Sequence, residues 1–150
     1  MKSKVIRALA ICVFRNGDKI LVGAGFDSVK QQTFYRPLGG SIEFGETSAD
    51  TITRELKEEL DAQVCDLKFL GTLENIFTFE GERGHEIVLV YDGKFVDASL
   101  YARKELKGFE KDDAHSPHFR AVWKTLSEFD PIHAPVYPNG LVELLSNHQS

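Results

Sequence analysis

The sequence predicts an α+β fold, one mixed sheet with helices packed against it. Three observations lead there. Several stretches rich in β-branched and aromatic residues alternate apolar with polar side chains, separated by turn-forming Gly, Asn and Asp. Between Thr47 and Leu60 the period changes from two to about 3.6 residues, and Ala49, Ile52, Leu56 and Leu60 fall on one stripe. No repeat, low-complexity tract or linker interrupts the 150 residues, so residues 1–150 are expected to form a single domain.

Val5 to Phe14 is the first strand, and Asn16-Gly17-Asp18 supplies the turn that pairs it with Lys19 to Val22. Gly23 to Lys30 reads as a mobile loop. Thr33 to Leu38 is a short strand whose Pro37 belongs near a strand end or edge, because proline has no N–H to give a ladder. Gly39-Gly40 then breaks the pattern. For the helix, Thr47 or Ser48 offers an N-cap oxygen, and Asp61 occupies the turn after its end, where glycine is the easier residue. Leu67 to Phe79 and His85 to Phe95 form a second hairpin across Glu80 to Gly84. Ala98 to Leu106 reads as a short helix, Gly108 to Pro117 as a polar loop and Phe119 to Trp123 as a strand. Leu126 to Phe129 is a helical turn, and Gly140 to Ser146 a terminal helix behind Pro138.

Composition narrows the class of partner. With 42% hydrophobic and 11% aromatic residues the chain can bury a core. A formal net charge of −5 argues against a long nucleic acid or an anionic lipid surface as partner. Cys12 and Cys65 each lie in an apolar run with no metal-like spacing, and read as reduced core thiols; a single buried disulfide is the alternative. Arg7 and Arg15 interrupt the first apolar run, which is therefore not read as a signal peptide, and no segment has the roughly 20 apolar residues that span a bilayer. The expected setting is cytoplasmic.

The chemistry concentrates between Gly39 and Ala62. At about 100° per residue, Glu55, Glu58 and Glu59 project from a sector roughly 100° wide, away from the apolar stripe. Like charges at i,i+4 destabilise a helix unless a cation sits between them, and Mg²⁺, with Mn²⁺ as substitute, is the cation that takes carboxylate oxygens while keeping positions open. Arg54, four residues before Glu58, can hold that carboxylate. Gly39, Gly40 and Gly45 remove side chains where backbone must approach a ligand, and the helix N-terminus favours anionic oxygens. Taken alone, Arg-Glu-x-x-Glu-Glu fits a solvated helix face equally well.

The wider spacing decides against the solvated face. Gly40, five residues, Glu46, seven residues, then Arg54-Glu55-Leu56-Lys57-Glu58-Glu59 and, after two more, Ala62 resembles the Nudix hydrolase signature. The departure is Asp61, where the family usually has Gly; Asp tolerates left-handed backbone better than most residues. The resemblance implies an α/β/α sandwich with a curved mixed β-sheet, and hydrolysis of a diphosphate linkage in a nucleoside-diphosphate-containing small molecule. It implies Glu55, Glu58 and Glu59 as metal ligands, the Gly39 carbonyl as a further one, Arg54 positioning Glu58 or Glu55, and Glu46 bracing the loop and helix start. Glu55 is also a candidate for orienting the attacking water. Many relatives add an acid from a later strand or loop; Glu86 is the candidate here, with Glu82, Asp112 and Asp113 competing and His85 behind them. Arg36 is a candidate for substrate phosphate and Gly40 for close backbone approach. Phe77, Phe79, Tyr137 and Trp123 are candidates to stack a base, although each fits core packing better. Nucleoside triphosphates, dinucleoside polyphosphates, ADP-ribose-like sugars and capped RNA ends all stay open as substrates, as does the oligomeric state, a homodimer included. Two rivals are a Nudix-fold module that binds a nucleotide without cleaving it, and a Glu-rich structural helix in an unrelated α+β protein.

Overall fold

Six consecutive buried residues, Leu9 to Phe14, sit at the centre of the computed structural model, which describes residues 4–110 and 118–148. They belong to β1 (Ile6–Asn16). Because side chains alternate along a strand, Ala10, Cys12 and Phe14 meet one cluster and Leu9, Ile11 and Val13 another. After β1 come β2 (Lys19–Asp27), β3 (Gln32–Arg36) and β4 (Leu38–Ser41), with Pro37 between the last two. The helix α1 (Ser48–Leu60) leads to the long hairpin of β5 (Val64–Phe79) and β6 (Glu82–Phe95). A 3-10 turn (Ala98–Ala102) precedes β7 (Glu105–Phe109), β8 (His118–Thr125), a second 3-10 turn (Leu126–Glu128) and α2 (Leu141–Ser146).

The sheet is mixed, since β1 and β6 run parallel and the other paired strands antiparallel. Strand order is β5-β6-β1-β2-β8-β7, with β4 also on β1 and β3 also on β2. Helix α1 lays Ile52 and Leu56 on the Ala10, Cys12 and Phe14 side, while α2 lays Leu141 and Leu145 on the other. Each such fully buried aliphatic side chain stabilises by about 1.5–3 kcal/mol, so both helices are anchored through the same strand. This is the expected sandwich of helix, curved sheet and helix.

One detail of the pairing makes room for a site. β1 and β2 share a ladder only beside their turn, at Arg15 with Ile20 and Asn16 with Lys19. Further along, β1 pairs with β4 and β6 while β2 pairs with β3 and β8. The sheet therefore divides into two halves that part company away from the turn.

Four readings of the sequence need correction. Gly23 to Lys30 is no mobile loop: β2 continues to Asp27, which is buried and accepts hydrogen bonds from the N–H groups of Val29 (2.9 Å), Lys30 (3.0 Å) and Glu80 (3.0 Å). Glycines at 23 and 25 concealed the strand. Gly39-Gly40 does not end a strand but lies within β4, paired with Ile11 and Ala10. Ala98 to Leu106 is helical only to Ala102, after which β7 begins, and Leu106 is buried in the sheet. Gly108 and Phe109 of the expected polar loop also belong to β7, and Asp112 and Asp113 lie outside the described residues. Cys12 is buried, Cys65 half-buried, and both are free thiols. Among the described residues no helix is long and apolar enough to cross a membrane.

Candidate active site

Helix α1 starts and stops where local chemistry requires. Thr47 accepts from the Asp50 N–H (3.1 Å) and Asp50 accepts in return from the Thr47 N–H (3.4 Å), a reciprocal cap. Asp61 closes the helix in left-handed geometry (φ 53°), its N–H donating to Lys57 (3.0 Å), with Lys57 Nζ on its carboxylate at 2.5 Å. The position that departs from the usual Gly thus keeps the backbone Gly would adopt.

Arg54 knots the helix to the loop before it. Its Nε donates to Glu46 Oε2 (2.7 Å) and its Nη2 to Glu46 Oε1 (2.9 Å), a two-pronged pairing of guanidinium and carboxylate. Nη2 also donates to the Ser41 carbonyl (3.1 Å), and Nη1 to Glu55 Oε1 (2.9 Å) and Glu58 Oε2 (3.4 Å). Glu46 accepts in addition from Thr51 Oγ1 (2.6 Å) and the Glu43 N–H (3.1 Å). These donors hold the Glu46 carboxyl far below its usual range, at about 2, the Arg54 hydrogen bonds foremost and Thr51 next.

The three helix glutamates are not equivalent. Glu59 is 7% exposed and shares the buried face with Ile52 and Leu56, whereas Glu58 turns toward Arg54. Helical geometry explains this correction: seven residues bring Glu59 to within about 20° of Ile52, so the acidic sector overlaps the apolar stripe rather than lying apart from it. Glu55 and Glu59 meet. Burial raises the Glu59 carboxyl well above its ordinary range, the Glu55 hydrogen bond and charge raise it further, Glu110 adds to this, and Arg36 opposes. Among the described residues no three acidic, histidine or cysteine side chains form a metal-holding group.

Even so, the local chemistry suits a hard divalent cation. Glu59 Oε1 is buried without a hydrogen-bond partner, next to a second carboxylate. A Cβ at Gly40 would stand 2.5 Å from Glu55 Cδ, so this carboxylate lies directly on bare backbone. At Gly39 a Cβ would collide with the Ala10 carbonyl. The Glu55 and Glu59 carboxylates carry oxygen donors of the kind such an ion takes.

Glu59 and Gly39 open onto a cleft of about 350 Å³ that runs between the two halves of the sheet. Arg36 and Glu86 line it, joined by residues the sequence did not single out, notably Arg7, Lys30, Asn75 and Glu110. Glu86 is 3% exposed, beside Asn75 Nδ2 (3.5 Å) and Arg7 Nη1 (3.7 Å). Arg7 also donates to Ser41 Oγ, and Asn75 Oδ1 accepts from the Asn139 N–H (3.0 Å). Phe77, Phe79 and Tyr137 face the cleft together with Phe34 and Phe119. Trp123 does not; it stacks on Tyr101 and donates to the Arg103 carbonyl (3.0 Å).

The structure therefore gathers Arg36, Gly39, Glu59 and Glu86 at one cleft, sets Glu55 and Gly40 behind Glu59, and keeps Arg54, Glu46 and Glu58 in the supporting knot. Glu82 is exposed in the hairpin, and His85, with its Nε2 buried and unpartnered, lies outside the cleft lining. Arg7 and Asn75 were findable only through register, since Glu86, already singled out in the sequence, pairs with Arg7 on one side and Asn75 on the other.

In fold the chain is similar to a MutT NUDIX hydrolase from Burkholderia pseudomallei, with a TM-score of 0.65 and 18% identity over 95% of this chain and 98% of that one. It is similar also to the E. coli ORF135 protein, with a TM-score of 0.61 and 18% identity over 96% of this chain and 91% of that one. A third neighbour is an ADP compounds hydrolase, with a TM-score of 0.53 and 19% identity over 83% of this chain and 60% of that one. The family model for the NUDIX domain matches residues 4–140 of the 150, and the chain belongs to the Nudix family.

Proposed function

We propose that the protein hydrolyses the diphosphate of a nucleoside-diphosphate-linked small molecule at the Glu59 end of the cleft. The observation that carries this reading is Glu59 itself, with a buried, unpartnered oxygen next to Glu55, the β4 glycines and an open cleft. The cleft volume is that of a small-molecule site. Glu55, Glu59 and the Gly39 carbonyl would hold Mg²⁺, or Mn²⁺ in its stead, with Glu58 joining when it leaves Arg54. A bound ion of this kind neutralises diphosphate charge and makes a water molecule more acidic. Arg54 and Glu46 fix the helix carboxylates relative to the loop. Arg36, which lines the cleft, faces substrate phosphate, while the bare backbone at Gly40 makes room for the Glu55 carboxylate. The oxygen of water bonds to one phosphorus, the bridging oxygen leaves with the electron pair of its bond, and Glu86 takes the proton.

A panel of nucleoside triphosphates, dinucleoside polyphosphates and sugar-linked nucleoside diphosphates, with products identified in Mg²⁺ and in Mn²⁺, tests this directly. A nucleoside monophosphate or inorganic phosphate should appear, and Glu59→Gln should lower turnover by at least about 100-fold. In parallel, Mn²⁺ at about 100 times its Kd should raise the Tm of the wild type by roughly 5–10 °C and leave Glu59→Gln unmoved. Nucleotide binding without any product, in either metal, would make the protein a binding module instead.

A further inference from the structure

The cleft's aromatic wall rests on glycines that the backbone does not require. Gly25, Gly84 and Gly108 lie inside strands β2, β6 and β7, and none has a left-handed φ. Glycine weakens a strand, so an interior glycine marks a close approach of something else. Here it is a ring in each case. The directly paired residue on the neighbouring strand is Phe34 for Gly25, Phe77 for Gly84 and Phe119 for Gly108.

The geometry is the same three times. A Cβ at Gly25 would meet Phe34 Cζ, Cε2 and Cε1 at 2.5, 2.9 and 3.0 Å. At Gly84 it would lie within 2.8 Å of three Phe77 ring atoms, and at Gly108 within 2.7 Å of three from Phe119. Near-equal distances to three ring atoms place the position over the ring face, not off its edge. Each phenylalanine is thus laid across its neighbour strand, and all three rings line the one cleft. Gly93 is a useful contrast: its Cβ would strike Cys12 Sγ and Leu67 in the core, and it has no part in the cleft.

We propose that Gly25, Gly84 and Gly108 are specificity-determining positions, which seat Phe34, Phe77 and Phe119 flat so that the cleft admits a planar nucleobase against them. This rests on the reading of the cleft as a nucleoside-diphosphate site, and names the half of the substrate that the carboxylates do not touch. Ring faces attract another π-system. Gln32, Asn75 and Thr78 line the same space, so an occupant with polar edges finds partners there that an alkyl chain would leave unmet. A methyl at any of the three positions must push its ring off the strand.

Isothermal titration of the metal-free protein with AMP, CMP, GMP, UMP and ribose 5-phosphate tests the wall without hydrolysis. At least one nucleotide should bind about tenfold or more tightly than ribose 5-phosphate. Gly25→Ala and Gly108→Ala should each weaken that nucleotide by roughly tenfold while ribose 5-phosphate binds as before. If either variant lacks a cooperative thermal transition, Phe34→Leu or Phe119→Leu replaces it with the same expectation. Ribose 5-phosphate binding as well as every nucleotide, or variants within about twofold of wild type for the nucleotide, overturns the proposal. A wild type that binds nucleotides through the wall yet cleaves nothing keeps this inference and removes the hydrolase reading. Hydrolysis with no dependence on the base does the reverse.

Discussion

The Glu46–Arg54 knot and the aromatic end of the cleft hold their shapes by opposite means. In the knot one guanidinium gathers Glu46, Glu55 and Glu58 within a stretch of 13 residues, through charge-assisted hydrogen bonds with fixed directions. The far end of the cleft is assembled from strands distant in sequence. There Asp27 accepts the Glu80 N–H, Lys30 Nζ donates to the Thr78 carbonyl (2.8 Å), Ser28 Oγ donates to Glu80 Oε2 (3.0 Å), and rings lie on glycines. A knot built on one cation fails all at once when that cation is lost. A wall built from many separate contacts fails by degrees.

Breaking the knot should therefore give the largest effect. Arg54→Ala leaves three carboxylates without their common partner and lets the loop before α1 shift against the helix; displacements of about 1 Å cost on the order of 100-fold in rate. We expect kcat/KM to fall by about that factor, with a lower Tm. Arg54→Lys should recover little, because an ammonium cannot fork onto Glu46 as a guanidinium does. Full activity in Arg54→Lys would show that the two-pronged geometry does not matter.

Loosening the far end should be milder and confined to it. Asp27 takes three backbone N–H groups, and the bond from Lys30 is foremost in holding its carboxyl below the ordinary range. In Asp27→Ala those N–H groups lose their acceptor, and their hydrogen exchange should speed up on the order of tenfold. The amides of Asp50 and Thr51 at the start of α1 should exchange as in wild type. Faster exchange at both places would mean that the two regions open together.

The same contrast explains what could be seen in the sequence. The strand-helix-strand rhythm, the cap at Thr47 and the left-handed Asp61 are short-range matters, settled by a few neighbouring residues. Where a feature depended on register it was hidden. Gly25 looked like loop because the Phe34 ring that justifies it comes from another strand. Leu106 and Gly108 resembled a helix end and a loop because β7 has meaning only beside β8. Among the site residues, spacing alone sufficed to single out Glu46, Arg54 and the helix glutamates. It did not separate Glu59, turned inward, from Glu58, turned to Arg54, because at about 20° from Ile52 the two faces of the helix overlap.

The knot also carries a pH dependence of its own. In the folded chain Glu46 takes up a proton only near pH 2, while in the unfolded chain it does so near its ordinary 4.5. Between those values the unfolded state binds more protons than the folded one, so the contribution of Glu46 is complete above about pH 4.5 and drains away as pH falls toward 2. Asp61, Asp97 and Asp130 are held low as well, by Lys57, Ser99 and His133 respectively, so acid lability as a whole cannot single out the knot. The difference in Tm between wild type and Glu46→Gln can. It should be constant from pH 7 to 5 and shrink by a few degrees between pH 4.5 and 2, because the Gln variant has already lost the charge that acid removes. A difference unchanged across that window would mean that Glu46 is not gripped by Arg54 in solution, and that the knot, unlike the wall, is no firmer than a surface ion pair.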